Sequence, residues 1–337
     1  MWNKSSSCSN SKLHELLDDA LAFGPEYRGG LSSHLPMALQ AMHSLGATDE
    51  QLTGLYERYR TRLTKAPHEQ AANLVTEPPQ LGRIEHFAPW QTSFEPRLRE
   101  EGPDAVLRAV LPMLMQGAAG AAFHGLIRTA HAVCSGHQRE IAAGLAYWAS
   151  RHQPVTAEST ASLGVDEWMA RLTALALRRG SAMPQRTFIF QSIDDWAGLS
   201  AFKEVAGALD ASALPLIARV AARTYAETRN FTVLHVVTAI EAAHRLEKWL
   251  APSSNRALLP ALAAGFLASE VLADEQPRRR MPEGSAAITV AWEAYASAAI
   301  AQADEHVIKL IEACRAQDRR HPNPVWKLAA ARALDPM

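Results

Sequence analysis

The sequence contains few cysteines and lacks the segments that direct a protein to export or into a membrane. Its three cysteines, Cys8, Cys134 and Cys314, are odd in number, far apart and without the spacing of a zinc site. The first residues, MWNKSSSCSNSK, are polar and contain no apolar signal core. No apolar run approaches the roughly 18 to 20 residues that a membrane span needs. We therefore expect a soluble, cytoplasmic protein with reduced thiols.

An excess of charge of one sign is also missing, as are the common nucleotide and nucleophile motifs. The 34 basic and 35 acidic side chains give a net charge of −1, so we expect no nucleic-acid or membrane partner. There is no phosphate-binding glycine loop ending in Lys-Ser or Lys-Thr, no GxGxxG after a strand, no GxSxG and no HExxH. These absences disfavour a nucleotide site in this chain and covalent hydrolase chemistry.

What recurs is helical periodicity, with apolar residues three and four positions apart, and almost no beta-branched alternation. The pattern predicts an all-α fold: a single large multi-helix domain over residues 1–337, with residues 1–10 disordered. Long ordered loops are expected at 66–96, 180–200 and 274–284, where prolines and glycines interrupt the pattern. The predicted helices span about residues 11–22, 36–45, 49–64, 103–115, 119–134, 137–152, 166–178, 211–226, 231–250, 255–273, 284–301, 303–318 and 324–334.

Helix start signals support some of these predictions. Thr48 followed by Asp49 is typical of a helix N-terminus, and Asp166 stands at the start of another helix. Pro103 fits the first turn of a third.

Thirteen histidines are the most informative feature. Those in polar or loop-like surroundings are expected at the surface: His14, His68, His86, His137, His152 and His321. His124 differs because small residues surround it in GAAGAAFHGLIRTAH, where glycines permit the close approach of another backbone or a ligand. Arg128 and His131 follow on the same helical stripe.

Three further segments place a histidine in unusual company. His235 has apolar flanks in NFTVLHVVTAIEAAH and is preferred as an inward-facing residue over His244, nine residues on. His34 lies at a helix entrance, after two glycines and two serines and before Pro36. His306 and Lys309 are one turn apart and point the same way.

Each of these residues taken alone is more commonly a satisfied core or surface residue. A buried lysine, however, is costly unless it is paired or chemically modified. Histidine is the usual nitrogen ligand of iron, zinc and copper, and helical folds build metal centres from ligands on several helices. Together the residues raise the hypothesis of a mononuclear metal site, although their spacing does not specify one as a CxxC pair would.

At these positions the sequence resembles the questin oxidase-like family. The resemblance runs from about residue 15 to 320, through the ordered blocks YRGGLSSHLPMALQAMHSLGAT, GAAGAAFHGLIRTAHAV, EIAAGLAYWA, NFTVLHVVTAIEAAHRL and DEHVIKLIEAC. It implies a helical protein with a non-haem iron centre held by histidines and by a carboxylated lysine. Carried over by motif, the implied metal ligands are His34, His124, His235, His306 and Lys309.

The resemblance also implies a function: oxidative C–C cleavage or Baeyer–Villiger-type oxidation of an aromatic or quinone-like ketone by Fe(II) and dioxygen. Arg128 is expected to steer a phenolate or carboxylate of the substrate. His131 stands where the family leads us to expect an aromatic residue, and is a candidate to contact the ligands or the substrate. Tyr147 and Trp148 either line the pocket or pack in the core. A reductant such as NADPH is expected to act through a separate reductase partner.

His131 and two further departures from the family pattern concern the substrate more than the fold or the metal. The segment ALDASALPLIARVAARTYAETRN is rich in alanine rather than aromatic residues, and the chain is shorter than typical fungal members. Two other functions stay open at this point. One is a non-catalytic helical binding protein for a small polycyclic ligand, and the other is a zinc-dependent hydrolase that uses the same histidines.

Overall fold

A computed structural model describes residues 11–65, 79–158, 162–207, 209, 211–251, 254, 256–274 and 286–335. The predicted disorder at residues 1–10, together with Cys8 and His68, lies outside these residues. The described part is all-α apart from one small hairpin, as the periodicity predicts. None of its helices is both long and apolar enough to cross a bilayer.

Sixteen α-helices and two short strands lie in the described part. The helices are α1 Ser11–Ala20, α2 Leu35–Ser44, α3 Asp49–Arg60, α4 Phe87–Glu100, α5 Pro103–Leu114, α6 His124–Ser135, α7 Gln138–Ser150, α8 Val165–Arg179, α9 Ile189–Ala197, α10 Ser200–Ala206, α11 Leu214–Thr228, α12 Phe231–Leu246, α13 Leu258–Ala268, α14 Trp292–Gln302, α15 Glu305–Arg320 and α16 Pro324–Leu334. The strands β1 Glu26–Tyr27 and β2 Leu31–Ser32 pair antiparallel. Short 3₁₀ turns occupy Ile84–His86, Met115–Gly117, Gly180–Ala182, Ala211–Ala213, Glu247–Trp249 and Ala286–Thr289.

Four helices form the centre of the domain. Helix α2 packs on α6, α6 on α12, α12 on α15, and α15 back on α2, so the four make a closed ring. Side chains around most of the circumference of α6 and α12 are buried, and helices of that kind belong in the interior of a large core. Helices α4 and α7 cover this centre on the α6 side, while α11 and α16 cover α12 and α15.

The start signals give mixed outcomes. Thr48 caps α3 through a reciprocal capping box with Gln51, and Pro103 is the first residue of α5, as predicted. Asp166 lies inside the first turn of α8, and the residue at the cap is Gly164. An acidic side chain in the first turn still favours the helix through its dipole.

The expectation of long loops was wrong in two places. Helix α4 occupies Phe87–Glu100 in spite of Pro89 and Pro96, and α9 and α10 occupy most of the stretch from 189 onward. Pro89 is tolerated in the first turn, where its missing N–H has no helical acceptor. Packing of Phe94 and Leu98 against α7 offsets the hydrogen bond that Pro96 removes. In these segments the burial of apolar side chains therefore outweighed the tendency of proline and glycine to interrupt a helix.

The predicted helix over 119–134 begins only at His124. Ala121, Ala122 and Phe123 before it have left-handed φ values of 49°, 55° and 69°. Left-handed residues other than glycine are costly and seldom occur in succession, so the surrounding packing must hold this turn. The glycine-rich stretch is therefore a constrained entrance to a helix and not a helix interior. The predicted helix over 284–301 likewise begins at Trp292, with residues 284 and 285 outside the described part.

The surface assignment of the six histidines was wrong for His137. This side chain is buried, caps α7 by accepting from the Glu140 N–H, and has its other nitrogen 3.4 Å from Asp18. His14, His86, His152 and His321 are intermediate in exposure. The polar neighbours of His137 in sequence did not reveal that its ring closes a helix end.

His244 lies away from His235, as expected, and accepts a hydrogen bond from Gln317 Nε2 at its Nδ1 (2.7 Å). Burial, followed by the nearby charge of Arg320, lowers the pKa of His244 to about 4. The unfolded chain, with a histidine pKa near 6.5, binds more protons than the folded chain between these values. This residue should therefore make the protein lose stability as pH falls from about 6.5 to about 4.

The loss attributable to His244 is about 3 kcal/mol at most. His244→Asn keeps an acceptor for Gln317 but does not titrate, so its stability should fall less across this range. Urea unfolding of both proteins at pH 7 and pH 4.5 measures the difference. Parallel losses in the two proteins would contradict the assignment of this acid sensitivity to His244.

Candidate metal centre

The ring of four central helices brings together one histidine from each helix. His34 is the residue immediately before α2, and His124 is the first residue of α6. His235 lies in the second turn of α12, and His306 lies in the first turn of α15. Lys309 follows one turn later on α15; burial lowers the pKa of all four histidines, and the proximity of Lys309 in its charged form adds to each shift. The five residues predicted as metal ligands are therefore neighbours in space.

His34 is positioned by the chain around it. Its backbone N–H donates to the Tyr59 hydroxyl at 2.9 Å, and Pro36 occupies the first turn of α2. The preceding hairpin is held by Tyr147, whose hydroxyl donates to Glu26 and bonds Ser32. These contacts fix the backbone from which the His34 ring projects inward.

The small residues around His124 allow α6 and α7 to approach closely. A Cβ atom on Gly125 would lie 2.6 Å from the Trp148 Cα, and one on Gly120 would overlap the Arg151 carbonyl oxygen. Close helix packing thus explains the glycines, and the close approach of another backbone was one of the two explanations that the sequence predicted. The strained turn before His124 then supplies the Ala121 carbonyl that accepts from the His124 Nδ1–H.

The other rings are oriented in similar ways. His235 Nδ1 donates to the Phe231 carbonyl oxygen at 2.8 Å. Because Nδ1 carries the proton in His124 and His235, their Nε2 atoms carry the lone pairs. Asp304 caps α15 by accepting from the backbone of His306 and Val307, and its Oδ1 lies 3.8 Å from His306 Nδ1.

The geometry of the cluster is close to that of a metal site. The ligand nitrogens of His34, His235 and His306 all lie within 4.8 Å of one another. Since metal–nitrogen bonds are about 2.1 Å long, two ligands of one ion are at most about 4.2 Å apart. His124 does not belong to this set of three, but its ring stacks on His34 with centroids 4.6 Å apart and lies 4.8 Å from the His235 centroid. His124 is therefore adjacent to the other three rings, and its Nε2 atom is likewise buried without a partner among the described residues.

A second group within the same distance limit consists of Asp304, Glu305 and His306. Its carboxylates are already in use, because Asp304 caps α15 and Glu305 pairs with Arg62. The histidine cluster is the better candidate.

Unpaired buried nitrogens test whether these residues fit a metal ion. His34 Nδ1, the Nε2 atoms of the other three histidines and Lys309 Nζ are all buried without a hydrogen-bond partner among the described residues. Buried polar atoms are nearly always paired, so five such atoms in one place need an explanation. A cation bound by nitrogen lone pairs satisfies the four histidines, and the residues therefore fit a metal.

The protonation states agree with this fit. Burial lowers the pKa of His235 to about 3, with the charge of Lys309 as a further cause. Burial likewise lowers the pKa values of His34, His124 and His306 well below the usual range. The pKa of Lys309 falls to about 7 through burial, although the carboxylates of Glu305 and Asp304 oppose the shift. All five side chains can thus present neutral nitrogens near neutral pH.

Arg128 and His131 follow His124 on α6 and make other contacts. Arg128 donates through Nε and Nη2 to both carboxylate oxygens of Glu140, and both side chains are buried. His131 Nδ1 is 2.9 Å from Gln40 Oε1, and burial, followed by the charges of Arg245 and Lys309, lowers its pKa. The predicted catalytic roles stay predictions, and the pairing of Arg128 favours a role in holding α6 to α7.

Arg128→Met is expected to lower the free energy of unfolding by about 3–5 kcal/mol, because it leaves the Glu140 carboxylate buried and unpaired. The double variant Arg128→Met/Glu140→Met should recover most of this loss. As a control, Arg171→Met breaks an exposed pair with Glu167 and should cost at most about 1 kcal/mol. Denaturant titrations measure all three. An Arg128→Met protein as stable as the parent would argue against the structural role.

Tyr147 and Trp148 are core residues in this structure. Trp148 is fully buried where α7 meets Gly125, and Tyr147 holds the hairpin. Sequence reasoning missed two residues that contact the cluster directly, Tyr59 and Phe231. The Phe231 ring lies against His235 and His306, with centroids 4.7 and 4.8 Å away. Its place just after the Asn230 cap of α12 was the available signal.

The fold and this cluster define a helical protein with a buried site of four histidines and a lysine. The questin oxidase-like family model matches residues 31–205, more than half of the chain, and the protein belongs to this family. Membership indicates an oxidoreductase. The match includes His34 and His124, whereas His235, His306 and Lys309 lie beyond it. Comparison with curated proteins gives no match.

Proposed function

We propose that the protein is an Fe(II)-dependent oxygenase that acts on an aromatic or quinone-like ketone. The observation that carries the proposal is the convergence of five unpaired buried nitrogens in a member of an oxidase-like family. His34, His124, His235 and His306 would hold the metal, with Lys309 as the fifth ligand. When bound, iron supplies the one-electron chemistry with dioxygen that side chains lack.

The protein residues prepare this site. The Ala121 and Phe231 carbonyls fix the rings of His124 and His235 through their Nδ1–H groups, and such outer contacts raise ligand affinity. Burial of the rings keeps them neutral and excludes bulk water. The low pKa of Lys309, about 7, leaves a neutral amine available at physiological pH.

We propose that this amine is carboxylated. Addition of carbon dioxide to the neutral amine forms an N–C bond, yields a carbamate and releases one proton. The carbamate is an anion with two oxygens, and iron accepts carboxylate-type oxygen as well as imidazole nitrogen. An unmodified ammonium has no lone pair and would not bind a metal. The buried Nζ atom has no hydrogen-bond partner among the described residues, which leaves its lone pair free to react.

The stoichiometry of the proposed reaction shows that the protein also needs a source of electrons. Insertion of one oxygen atom beside the carbonyl turns a ketone into an ester or lactone. It consumes one dioxygen, two electrons and two protons, and it releases one water. The electrons would come from an external reductant, with NADPH acting through a separate reductase because this sequence has no nucleotide motif.

Metal analysis of protein purified without a metal-affinity tag tests the proposal. Near-stoichiometric iron, and oxygen uptake that depends on a quinone or aryl ketone with a reductant, are the expected results. Zinc with hydrolytic activity would replace the oxygenase by a hydrolase, although five donors exceed the four that zinc prefers. If the protein takes up no metal even after anaerobic Fe(II) loading, the oxygenase is refuted. The non-catalytic binding protein would then be the better hypothesis.

A further inference from the structure

One side of the metal centre reaches solvent, and it carries an aromatic ring. His34, His124, His235 and Lys309 are each 7% exposed or less, whereas the His306 side chain is 21% exposed. Phe231 makes T-shaped contacts with His235 and His306 and is itself 53% exposed. The least covered side of the site, here called the opening, therefore lies at Phe231 and His306, although the His306 Nε2 atom is itself buried.

The exposure of Phe231 is unusual in this chain. Six large hydrophobic side chains are exposed in the described part, and Phe231 is the aromatic one among them. Its ring contacts the two histidines, yet 53% of the residue stays accessible to solvent. An aromatic ring held on one side and free on the other suits stacking with a planar ligand.

The charges near the opening are already paired. Arg62 donates to Glu305 at 2.9 Å and to the Tyr27 hydroxyl, and Asp304 accepts from two backbone N–H groups of α15. A ligand at the opening would find little unpaired charge. Aromatic stacking, rather than charge, is thus the recognition that this surface offers.

We infer that Phe231 is the specificity-determining residue of the site and binds a planar aromatic ligand by stacking. Because the Phe231 ring contacts His235 and His306, a ligand stacked on its exposed surface would lie near the proposed metal site. The identity of this ligand as the oxygenase substrate rests on the proposed function, but its binding does not need the metal. The two can therefore be tested apart.

A nearby cavity is the competing binding place. It has a volume of about 410 Å³ and is lined by Asn230, the residue before Phe231, together with Ser192, Trp196 and Leu267. It also contains the acidic side chains of Asp195 and Glu270. A ligand in this cavity would approach the start of α12 without stacking on Phe231, so the experiment must separate the two places.

Equilibrium dialysis of the metal-free protein against two ketones of the same skeleton makes the test. 2-Acetylnaphthalene is planar and aromatic, and 2-acetyldecalin is its saturated counterpart. Phe231→Leu keeps an apolar side chain but removes the ring, and we expect it to weaken binding of the aromatic ketone about three- to tenfold. The affinity of Phe231→Leu for the saturated ketone should differ from that of the parent by less than about twofold. Phe231→Trp keeps an aromatic ring and should bind the aromatic ketone as tightly as the parent does.

Two control variants complete the design. Leu216→Ala removes an exposed apolar side chain from α11, 48% exposed, and should change neither affinity. Ser192→Trp fills the nearby cavity and should leave aromatic binding intact.

The inference is overturned if Phe231→Leu weakens the binding of both ketones equally or leaves the binding of both unchanged. It is likewise overturned if the parent protein binds neither ketone. It is also overturned if Ser192→Trp abolishes binding while Phe231→Leu does not. Iron content is measured separately in each variant. A parent without iron that still selects the aromatic ketone through Phe231 would refute the oxygenase and keep the aromatic site.

Discussion

Replacing Lys309 by methionine is expected to stabilise the metal-free protein while weakening its binding of Fe(II). Lys309 is 1% exposed, and its Nζ has no hydrogen-bond partner among the described residues. Methionine is unbranched and of similar length, so it can fill the same space without an amine. The variant removes the cost of burying that amine and also removes the proposed fifth ligand.

The size of the stabilisation depends on pH. The pKa of Lys309 is lowered by burial from 10.5 to about 7. Between these values the unfolded chain binds a proton that the folded chain does not, so this residue makes stability fall as pH falls from 10.5 to 7. Below the folded pKa its penalty is constant and is about 5 kcal/mol at most. The advantage of Lys309→Met should therefore be small near pH 10 and largest at pH 7 and below.

Urea unfolding of EDTA-treated parent and Lys309→Met at pH 7 and pH 9.5 measures this advantage. Lys248→Met is the matched control, because the Lys248 side chain is 58% exposed and its burial costs nothing comparable. A Lys309→Met protein less stable than the parent at pH 7 would show that the amine has a favourable partner in the folded state.

The same variant tests the carbamate. Fe(II) affinity of the parent should rise when bicarbonate is added to carbon dioxide-depleted buffer, and Lys309→Met should show no such response. Labelling with ¹³C-bicarbonate gives a direct readout, since a carbamate carbon is distinct from bicarbonate in its NMR spectrum. A parent whose iron binding ignores bicarbonate would remove carboxylation from the proposal and leave the four histidines.

His235→Ala is expected to lower Fe(II) affinity by about 100-fold or more. Groups that merely orient a metal ligand already contribute about 10- to 100-fold to affinity, and His235 would be a ligand itself. Its ring is 1% exposed, and its Nε2 is unpaired and lies within 4.8 Å of the ligand nitrogens of His34 and His306.

His244→Ala provides the comparison on the same helix, because His244 is also buried but bonds Gln317 instead of facing the cluster. Its Fe(II) affinity should stay within about threefold of the parent. Competition with a chromophoric chelator under anaerobic conditions measures both variants. Equal losses in the two proteins would show general damage to the fold, and full affinity in His235→Ala would exclude His235 as a ligand.

Local sequence determined the positions of most helices, one close backbone contact and the family of this protein. Apolar spacing specified the helices because the same pattern that favours a helix also buries one of its faces. The small residues around His124 correctly indicated a close backbone contact, now seen between Gly125 and Trp148. The resemblance placed the protein in the right family, and four histidines and a lysine from distant segments lie in one cluster as it implied.

Other features depended on contacts between distant segments. Helix α4 forms despite two prolines because α7 covers it, and Arg128 finds Glu140, both of which are tertiary effects. The left-handed turn at Ala121–Phe123 is unfavourable locally and is held by its surroundings. Phe231 became a candidate only when its ring was placed against two histidines from different helices.

The histidines show most clearly which properties the sequence determines and which depend on the tertiary structure. Sequence determined which residue types were available and which lay on apolar helix faces. Only the tertiary structure decided that His34, His124, His235 and His306 meet while His137 and His244 find other partners. The physical reason is that a lone pair is satisfied by whatever lies within about 3 Å, and that neighbour comes from helix packing rather than from adjacent residues.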